Sequence, residues 1–433
     1  MYQQEYRRKL TTPSRAAELI QDNMTLAHGL TMAEPPELLG AIAARLHAGD
    51  LKKLKTFSIL PLQHAMDTIL APHLCDCVDA CTGFVSGAER GLVEVGLNHY
   101  MPNHLHQVPR LLTEFLGVEA LVTMVSPMDK AGYFSFGTAN DYTSTVARNA
   151  ELCLVEVNPN MPRVFGDSLL HISEVDALVE SDRPILEMPA ADPKPEDEAI
   201  GKAIAELVPD GACLQLGVGG LPNAVAEFLE GHKDMGVHTE VFGPGMVHLI
   251  KKGAITGRKK NLHPRKHVFT VAQGDQEMLE FMDDNPAMAS YPVSYVNKPE
   301  VIAQNEKMIS INSIIQVDLL GQCNAEYLNG HQFSGTGGQL DFVRGAFDSP
   351  GGKSILAFHS TAKDGTVSRV VSSLESGAMV TTPRMDTHYL VTEHGVANLK
   401  GRSSRERALA IIDLAAPQFR AELLRNAEDM HLL

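Results

Sequence analysis

No stretch of this chain approaches the roughly 18 consecutive apolar residues that a membrane helix needs, so no membrane-spanning segment is expected. The start, "MYQQEYRRKL", has no apolar core of the kind a secretory signal carries, which points to the cytoplasm. Cysteine is scarce. Cys75, Cys77, Cys81, Cys153, Cys213 and Cys323 are the whole set, and their spacing forms no secreted disulfide framework, so reduced thiols are expected. Positive charge is short as well: at a formal net charge of −16 the chain lacks the basic surface that phosphate backbones require, which excludes nucleic acid as a partner.

Compact catalytic signatures are missing too. There is no G-x-S-x-G nucleophile elbow and no H-E-x-x-H metal pair, and no Gly-Lys-Ser/Thr follows either of the loops Gly217 to Gly220 and Gly335 to Gly338. Two glycine-rich loops, "GVGG" at Gly217 to Gly220 and "GTGG" at Gly335 to Gly338, fail the dinucleotide fingerprint because its sixth place falls on Pro222 and Leu340. "HLCDCVDAC" brings three cysteines near His73 but has no paired C-x2-C spacing; a segment packing small residues fits better, and no metal is expected. The eighteen histidines are scattered, and for a lone one such as His238 an orienting or structural role is the expectation.

What is present describes a folded protein of 433 residues with 44% hydrophobic and 21% charged residues, long enough for two domains. The clearest linker is "MPAADPKPEDEA", where three prolines and four acids interrupt any hydrophobic period. It suggests a first domain over residues 1–188, a linker over 189–199 and a second domain over 200–433. On both sides apolar strand-like runs ("LVTMV", "CLVEV", "CLQLGV", "HVFTVA") alternate with helices begun by proline ("PPELLGAIAARLHAG", "LPNAVAEFLEG"). Such alternation marks an α/β protein with largely parallel sheets. The halves also share an order: apolar segment, Gly29 or Gly217, short loop, proline, helix, and later Asp-x-x-Gly with Gly-Thr and Asp-aromatic. Two related open α/β domains, a duplicated unit, are therefore expected.

The glycine loops keep one physical property even without a nucleotide motif. They lack Cβ atoms, so a ligand can come close to backbone N–H groups able to face an anion or a polarised carbonyl. The basic run "KKGAITGRKKNLHPRK", Lys251 to Lys266, is either a solvated loop or local positive potential for an anionic ligand. Glu240, in "GVHTEVFGPG", stands between a short apolar run and a Gly-Pro-Gly break. A carboxylate is ionised at neutral pH and needs no helper base to attack a thioester; the charge growing on the carbonyl oxygen then needs N–H donors. The competing reading is a strand-end acid in a surface ion pair.

"LQLGVGGLPNAV", "GVHTEVFGPGMVHLIKKG", "SYVNKPEVIAQNEKMISINSIIQVDL" and "FSGTGGQLDFVRGA" together resemble the acetyl-CoA hydrolase/transferase family of class I CoA-transferases, and within it the 4-hydroxybutyrate or butyrate CoA-transferases. "GLTMAEPPELL", "VSPMDKAGYFSFGTANDYT" and "VNPNMPRVFGDSLLHISEVD" extend the resemblance over nearly the whole chain. It implies a CoA-transferase fold of two related halves, with coenzyme A as substrate and covalent intermediate, and an acyl-CoA and a small carboxylate as partners. It also implies a homodimer or larger assembly. By matching residues, Glu240 is the nucleophile that becomes a glutamyl-CoA thioester, Asn297 and the Gly337 and Gly338 amides face the oxyanion, and Gly217, Val218, Gly219, Gly220 and Leu221 border the thioester. Ile314, Phe333 and Ala357 line the CoA channel. One departure concerns the residues after Phe242: the family often has Ser-Asp there, and this chain has Gly243-Pro244. An acyl-CoA hydrolase admitting water to the same intermediate, and a non-catalytic metabolite-binding protein, are the rival functions.

Overall fold

The computed structural model describes residues 2–188, 193–217 and 219–433. Residues 189–192 of the proline-rich stretch and Val218 of the first glycine loop lie outside them. The chain forms two compact units, Met1–Pro189 with Val268–Val296, and Ala190–His267 with Asn297–Leu433. A single cut at the proline-rich stretch does not separate them, because Val268–Val296 belongs with the first. Residues 195–199, read as linker, are the first turn of the helix Pro195–Ala205. The Asp197 carboxylate accepts the Lys194 N–H at 2.8 Å, and Glu196, Asp197 and Glu198 favour a helix N-terminus electrostatically.

The first unit is built on seven strands in the spatial order Ala177–Glu180, Leu152–Val157, Ala120–Val125, Thr25–His28, Leu54–Ser58, Val78–Thr82, Asn98–Tyr100. Every pairing is parallel, and both central runs, Thr25–His28 and Ala120–Val125, are buried along their whole length, as strands covered on both faces must be. The second unit carries Gly395–Asn398, Tyr389–Thr392, Lys353–Ala357, Met308–Ser313, Cys213–Leu216 and Gly236–His238 in that order. All of these neighbours run parallel except the Tyr389–Thr392/Gly395–Asn398 hairpin. In each unit the first strand of the sheet lies between the next strand in sequence and one reached much later. The plan is the same in both, and each central strand is followed by the glycine that the sequence marks, Gly29 or Gly217.

Of the two helices expected to begin on proline, one does, while the other, Gly220–Phe228, starts two residues before Pro222. Pro36–Ala48 starts on proline and ends at Gly49 with φ +76°. The run "HVFTVA" is split at Thr270 into His267–Phe269 and Val271–Ala272. The Thr270 carbonyl is taken by the N–H groups of Asn140 and Asp141.

Candidate active site

Where a parallel sheet changes direction between the first strand and its late neighbour, the carboxyl ends of the strands open a crevice in which ligands bind. In the second unit the described residues leaving those ends are Gly217 and Gly219, ahead of the helix Gly220–Phe228, after Cys213–Leu216, residues 239–240 after Gly236–His238, and Ile314 after Met308–Ser313. The candidate residues therefore gather by topology.

Glu240 sits between Gly236–His238 and Val241–Phe242. Buried Thr239 fixes its backbone: the hydroxyl lies 3.3 Å from the Leu216 carbonyl and 3.0 Å from that of Val241, tying the turn to the neighbouring strand. After Phe242, Gly243 is extended and Pro244 opens the helix Pro244–Lys251. The Gly-Pro departure from the family pattern is thus a strand-to-helix junction that leaves the acid's own turn in place.

The Glu240 carboxyl meets two donors. Asn297 Nδ2 donates to Oε2 at 2.6 Å, and the Gly338 backbone lies against the same carboxyl, where its N–H favours the ionised acid. Gly338 caps the helix Gln339–Asp348, so the acid lies at a helix N-terminus, where negative charge is favoured. Space there is measured by what glycine lacks: a Cβ on Gly338 would lie 1.7 Å from Glu240 Oε2 and 2.2 Å from Asn297 Nδ2. Gly337, at φ +54°, turns the chain into the helix. Burial drives the Glu240 carboxyl up to about 7, with the Asp341 carboxylate adding to the rise and the Asn297 amide and Gly338 N–H opposing it. The ion-pair reading of Glu240 fails here, because the neighbours named by these contacts are an amide, a backbone N–H and another acid.

Asn297 is fully buried, and among the described residues its Oδ1 has no hydrogen-bond partner. Its height against Gly338 is set by a close helix contact. A Cβ on Gly345 would come within 2.5 Å of Ile302 Cβ and 3.0 Å of the Pro299 carbonyl, so the helices Gln339–Asp348 and Pro299–Ile302 touch backbone to side chain.

The structure brings Glu240, Asn297 and Gly338 together. It sets Gly217 and Gly219 after the strand Cys213–Leu216, and Gly220 and Leu221 in the first turn of the helix Gly220–Phe228, which Gly219 at φ +125° caps. Ile314 and Ala357 are neighbours across the sheet, the Ile314 N–H reaching the Ala357 carbonyl at 3.4 Å. Both side chains are core, 4% and 0% exposed, while Phe333 is partly exposed. His238 is buried with its ring 6.3 Å from that of Phe342. The basic run is largely solvated, with Lys251, Lys252, Arg258, Lys259 and Arg265 exposed, and Lys260 is the exception. Lys260 is buried with its ammonium on the Val237 and Lys266 carbonyls at 2.6 and 3.0 Å, and Arg258 is paired with Asp234. His73 meets His47, Nε2 to Nε2 at 3.1 Å with the rings stacked.

Three contributors escape the sequence reading. Asp341 lies in "GGQLDF", one helical turn after Gly338, so helical periodicity would have found it. Thr239 is adjacent to the acid. Glu326 has no local signal, because it reaches the glycine loop through side-chain hydrogen bonds.

Comparison with known proteins follows the same lines. Residues 1–188 match the model described as the acetyl-CoA hydrolase/transferase N-terminal domain, and residues 274–427 match its C-terminal domain. The chain is 42% identical over 430 residues to the succinyl-CoA:cyclohexane-1-carboxylate CoA transferase of Geobacter metallireducens, covering 99% of this chain and 97% of the relative. It is 40% identical over 430 residues to the 4-hydroxybutyrate coenzyme A transferase of Clostridium kluyveri, covering 98% of each. Among solved structures, RipA from Yersinia pestis superposes with a TM-score of 0.97 at 49% identity over the whole of both chains. With two domain models in order and relatives matched from end to end, this chain belongs to the acetyl-CoA hydrolase/transferase family.

Proposed function

We propose that the protein is an acyl-CoA:carboxylate CoA-transferase that works by ping-pong exchange through a glutamyl-CoA thioester on Glu240, with a short-chain acyl-CoA such as 4-hydroxybutyryl-CoA or butyryl-CoA as donor and acetate as acceptor. The observation that carries this reading is the enclosure of one carboxyl between the Asn297 amide and the Gly338 N–H, with no room for a side chain at Gly338.

A Glu240 oxygen adds to the thioester carbonyl, the C–S bond breaks, and CoA leaves as thiolate from an acyl-glutamyl anhydride. The thiolate then adds to the Glu240 carbonyl carbon. The anhydride C–O bond breaks, the free carboxylate departs and CoA remains on the protein. A second carboxylate reverses these steps and carries CoA away as the new thioester. In both additions at the Glu240 carbon an oxyanion forms on the carboxyl that Asn297 and Gly338 face, and one such donor is worth about 10²–10³ in kcat. Exchange between thioesters of like energy needs no nucleotide; holding the reactants in line contributes about 7–11 kcal/mol. Within this reading the loop 217–221 borders the thioester, and Ile314, Phe333 and Ala357 line the CoA channel. The setting is cytoplasmic and the assembly is a homodimer or larger.

Mass spectrometry after acyl-CoA treatment and borohydride reduction tests the intermediate: modification is expected on the peptide containing Glu240, and its absence overturns the reading. Acetyl-CoA formation on adding acetate marks transfer, whereas CoA release indifferent to acetate marks hydrolysis.

A further inference from the structure

The segment that delivers Gly338 to Glu240 is residues 333–338, between the strand His331–Gln332 and the helix Gln339–Asp348. Four of its anchors come from two consecutive residues, Ala325 and Glu326. The Phe333 and Ser334 N–H groups donate to the Glu326 carbonyl at 2.8 and 3.2 Å, the Ser334 hydroxyl donates to the Ala325 carbonyl at 2.9 Å, and the Thr336 hydroxyl donates to Glu326 Oε1 at 3.1 Å. Glu326 is itself held from behind. Its Oε1 also accepts from Thr381 at 2.9 Å and its Oε2 accepts from Gln332 Nε2 at 2.9 Å. Gln332 Nε2 donates to the Ser334 carbonyl too, at 3.1 Å, so the side chain closes a ring across the loop.

This is more structure than a surface loop needs. Glu326 is 6% exposed, and burying a carboxyl is costly unless its oxygens are satisfied. The Thr336 hydroxyl lies two residues before Gly338, where a Cβ would stand 1.7 Å from the reacting carboxyl. At such a spacing a small movement of the loop lengthens the Gly338 N–H contact or drives the backbone into Glu240.

We propose that Glu326 is a positioning residue for the transfer reaction. Acting through Thr336, it holds the Gly337–Gly338 amides in register with the Glu240 carboxyl, so that the donor to the oxyanion is in place before substrate arrives. It touches neither the reacting atoms nor CoA. The inference rests on the glutamyl-CoA reading above and extends it to the device that fixes the oxyanion donor.

The test uses the full-length protein with Glu326→Gln and, separately, Thr336→Val. Glu326→Gln keeps shape and one acceptor oxygen but sets an NH2 group against the Gln332 NH2 group, which the Ser334 carbonyl already orients. Thr336→Val removes the hydroxyl that links Glu326 to the loop. For both, kcat is expected to fall about 10- to 100-fold, part or all of the loss that deleting an oxyanion donor brings, while KM for acyl-CoA changes less than about 3-fold. The rate of glutamyl-CoA adduct formation should fall in step. The double variant should lose little more than the worse single one, since both break the same linkage. Normal kcat in folded Glu326→Gln and Thr336→Val overturns the proposal, as does a loss confined to KM, or a loss that disappears when rates are referred to the fraction of protein able to form adduct. If Glu240→Gln turns over normally, the glutamyl reading falls and this inference with it. If Glu240→Gln is inactive while the Glu326 and Thr336 variants are not, only the positioning role falls.

Discussion

Asn297 Nδ2 lies 2.6 Å from Glu240 Oε2 across a space in which no Cβ of Gly338 can stand. The two side chains come from segments 57 positions apart, and the contact sets both the protonation of the acid and the fate of charge formed on it.

The first consequence is a pH profile. On the proposed glutamyl-CoA reading Glu240 reacts as the carboxylate, and burial raises its carboxyl to about 7, so kcat/KM should rise with pH through an acid limb near that value. Removing the Asp341 charge in Asp341→Asn takes away a contribution that raises it, and the limb should move to lower pH. Asn297→Ala takes away a contribution that lowers it, and the limb should move to higher pH with kcat down about 10²-fold or more. Initial rates from pH 5 to 9 check both directions; movement of the two limbs the same way would contradict the geometry.

Gly338→Ala places a methyl 1.7 Å from Glu240 Oε2. Overpacking of this kind costs about 1–3 kcal/mol of stability, and kcat should fall by at least about 10²-fold as acid and amide are forced apart. Thermal unfolding beside steady-state rates separates the two effects.

Gly345→Ala acts on the same contact from a distance. The added carbon would meet Ile302 Cβ at 2.5 Å, pushing the helix Gln339–Asp348 away from the segment that carries Asn297. A stability loss of about 1–3 kcal/mol should come with reduced kcat, although residue 345 is more than one helical turn from the acid. Unchanged turnover in the folded variant would show that the helix contact does not set the Asn297 to Glu240 distance.

Stability should also depend on pH through the first unit. Glu34, whose carboxyl accepts the N–H groups of Leu62 and Ala65 at 2.6 and 3.2 Å, is pushed by burial up to about 8, and burial lifts Glu89, Asp141 and Glu156 to about 7. The folded state then holds protons that the unfolded chain releases near pH 4 to 4.5. These groups stabilise fully below that range, and their contribution is lost as pH rises through 7 to 8. The thermal midpoint should therefore fall by several degrees between pH 6 and pH 9, and Glu34→Gln should flatten the decline.

Much of this architecture is legible in the chain. Proline-started helices and β-branched runs marked strand and helix correctly for Ala120–Val125, Leu152–Val157 and Pro36–Ala48, because those signals are local. The order of motifs identified the family, and Glu240 stood out because few other groups offered unaided nucleophilic chemistry. Tertiary contacts were beyond reach. Nothing near Lys260 announces that a lysine will be buried on two carbonyls, which the bare backbone of Gly236 permits: a Cβ there would lie 2.4 Å from the lysine Cγ. Likewise the raised carboxyl of Glu240 comes first from burial and then from Asp341, about a hundred residues later in the chain, and only the fold supplies either.

Val268–Val296 completes the compact unit that opens with the first residues of the chain. Synthesis on the ribosome must run past Val296 before that body has all its pieces, and by then the strands Cys213–Leu216 and Gly236–His238 of the other have already been made. Scission near residue 190 leaves the second body's segments on one polypeptide but strips the first of Val268–Val296, so the shorter fragment lacks a part that only the longer one can supply.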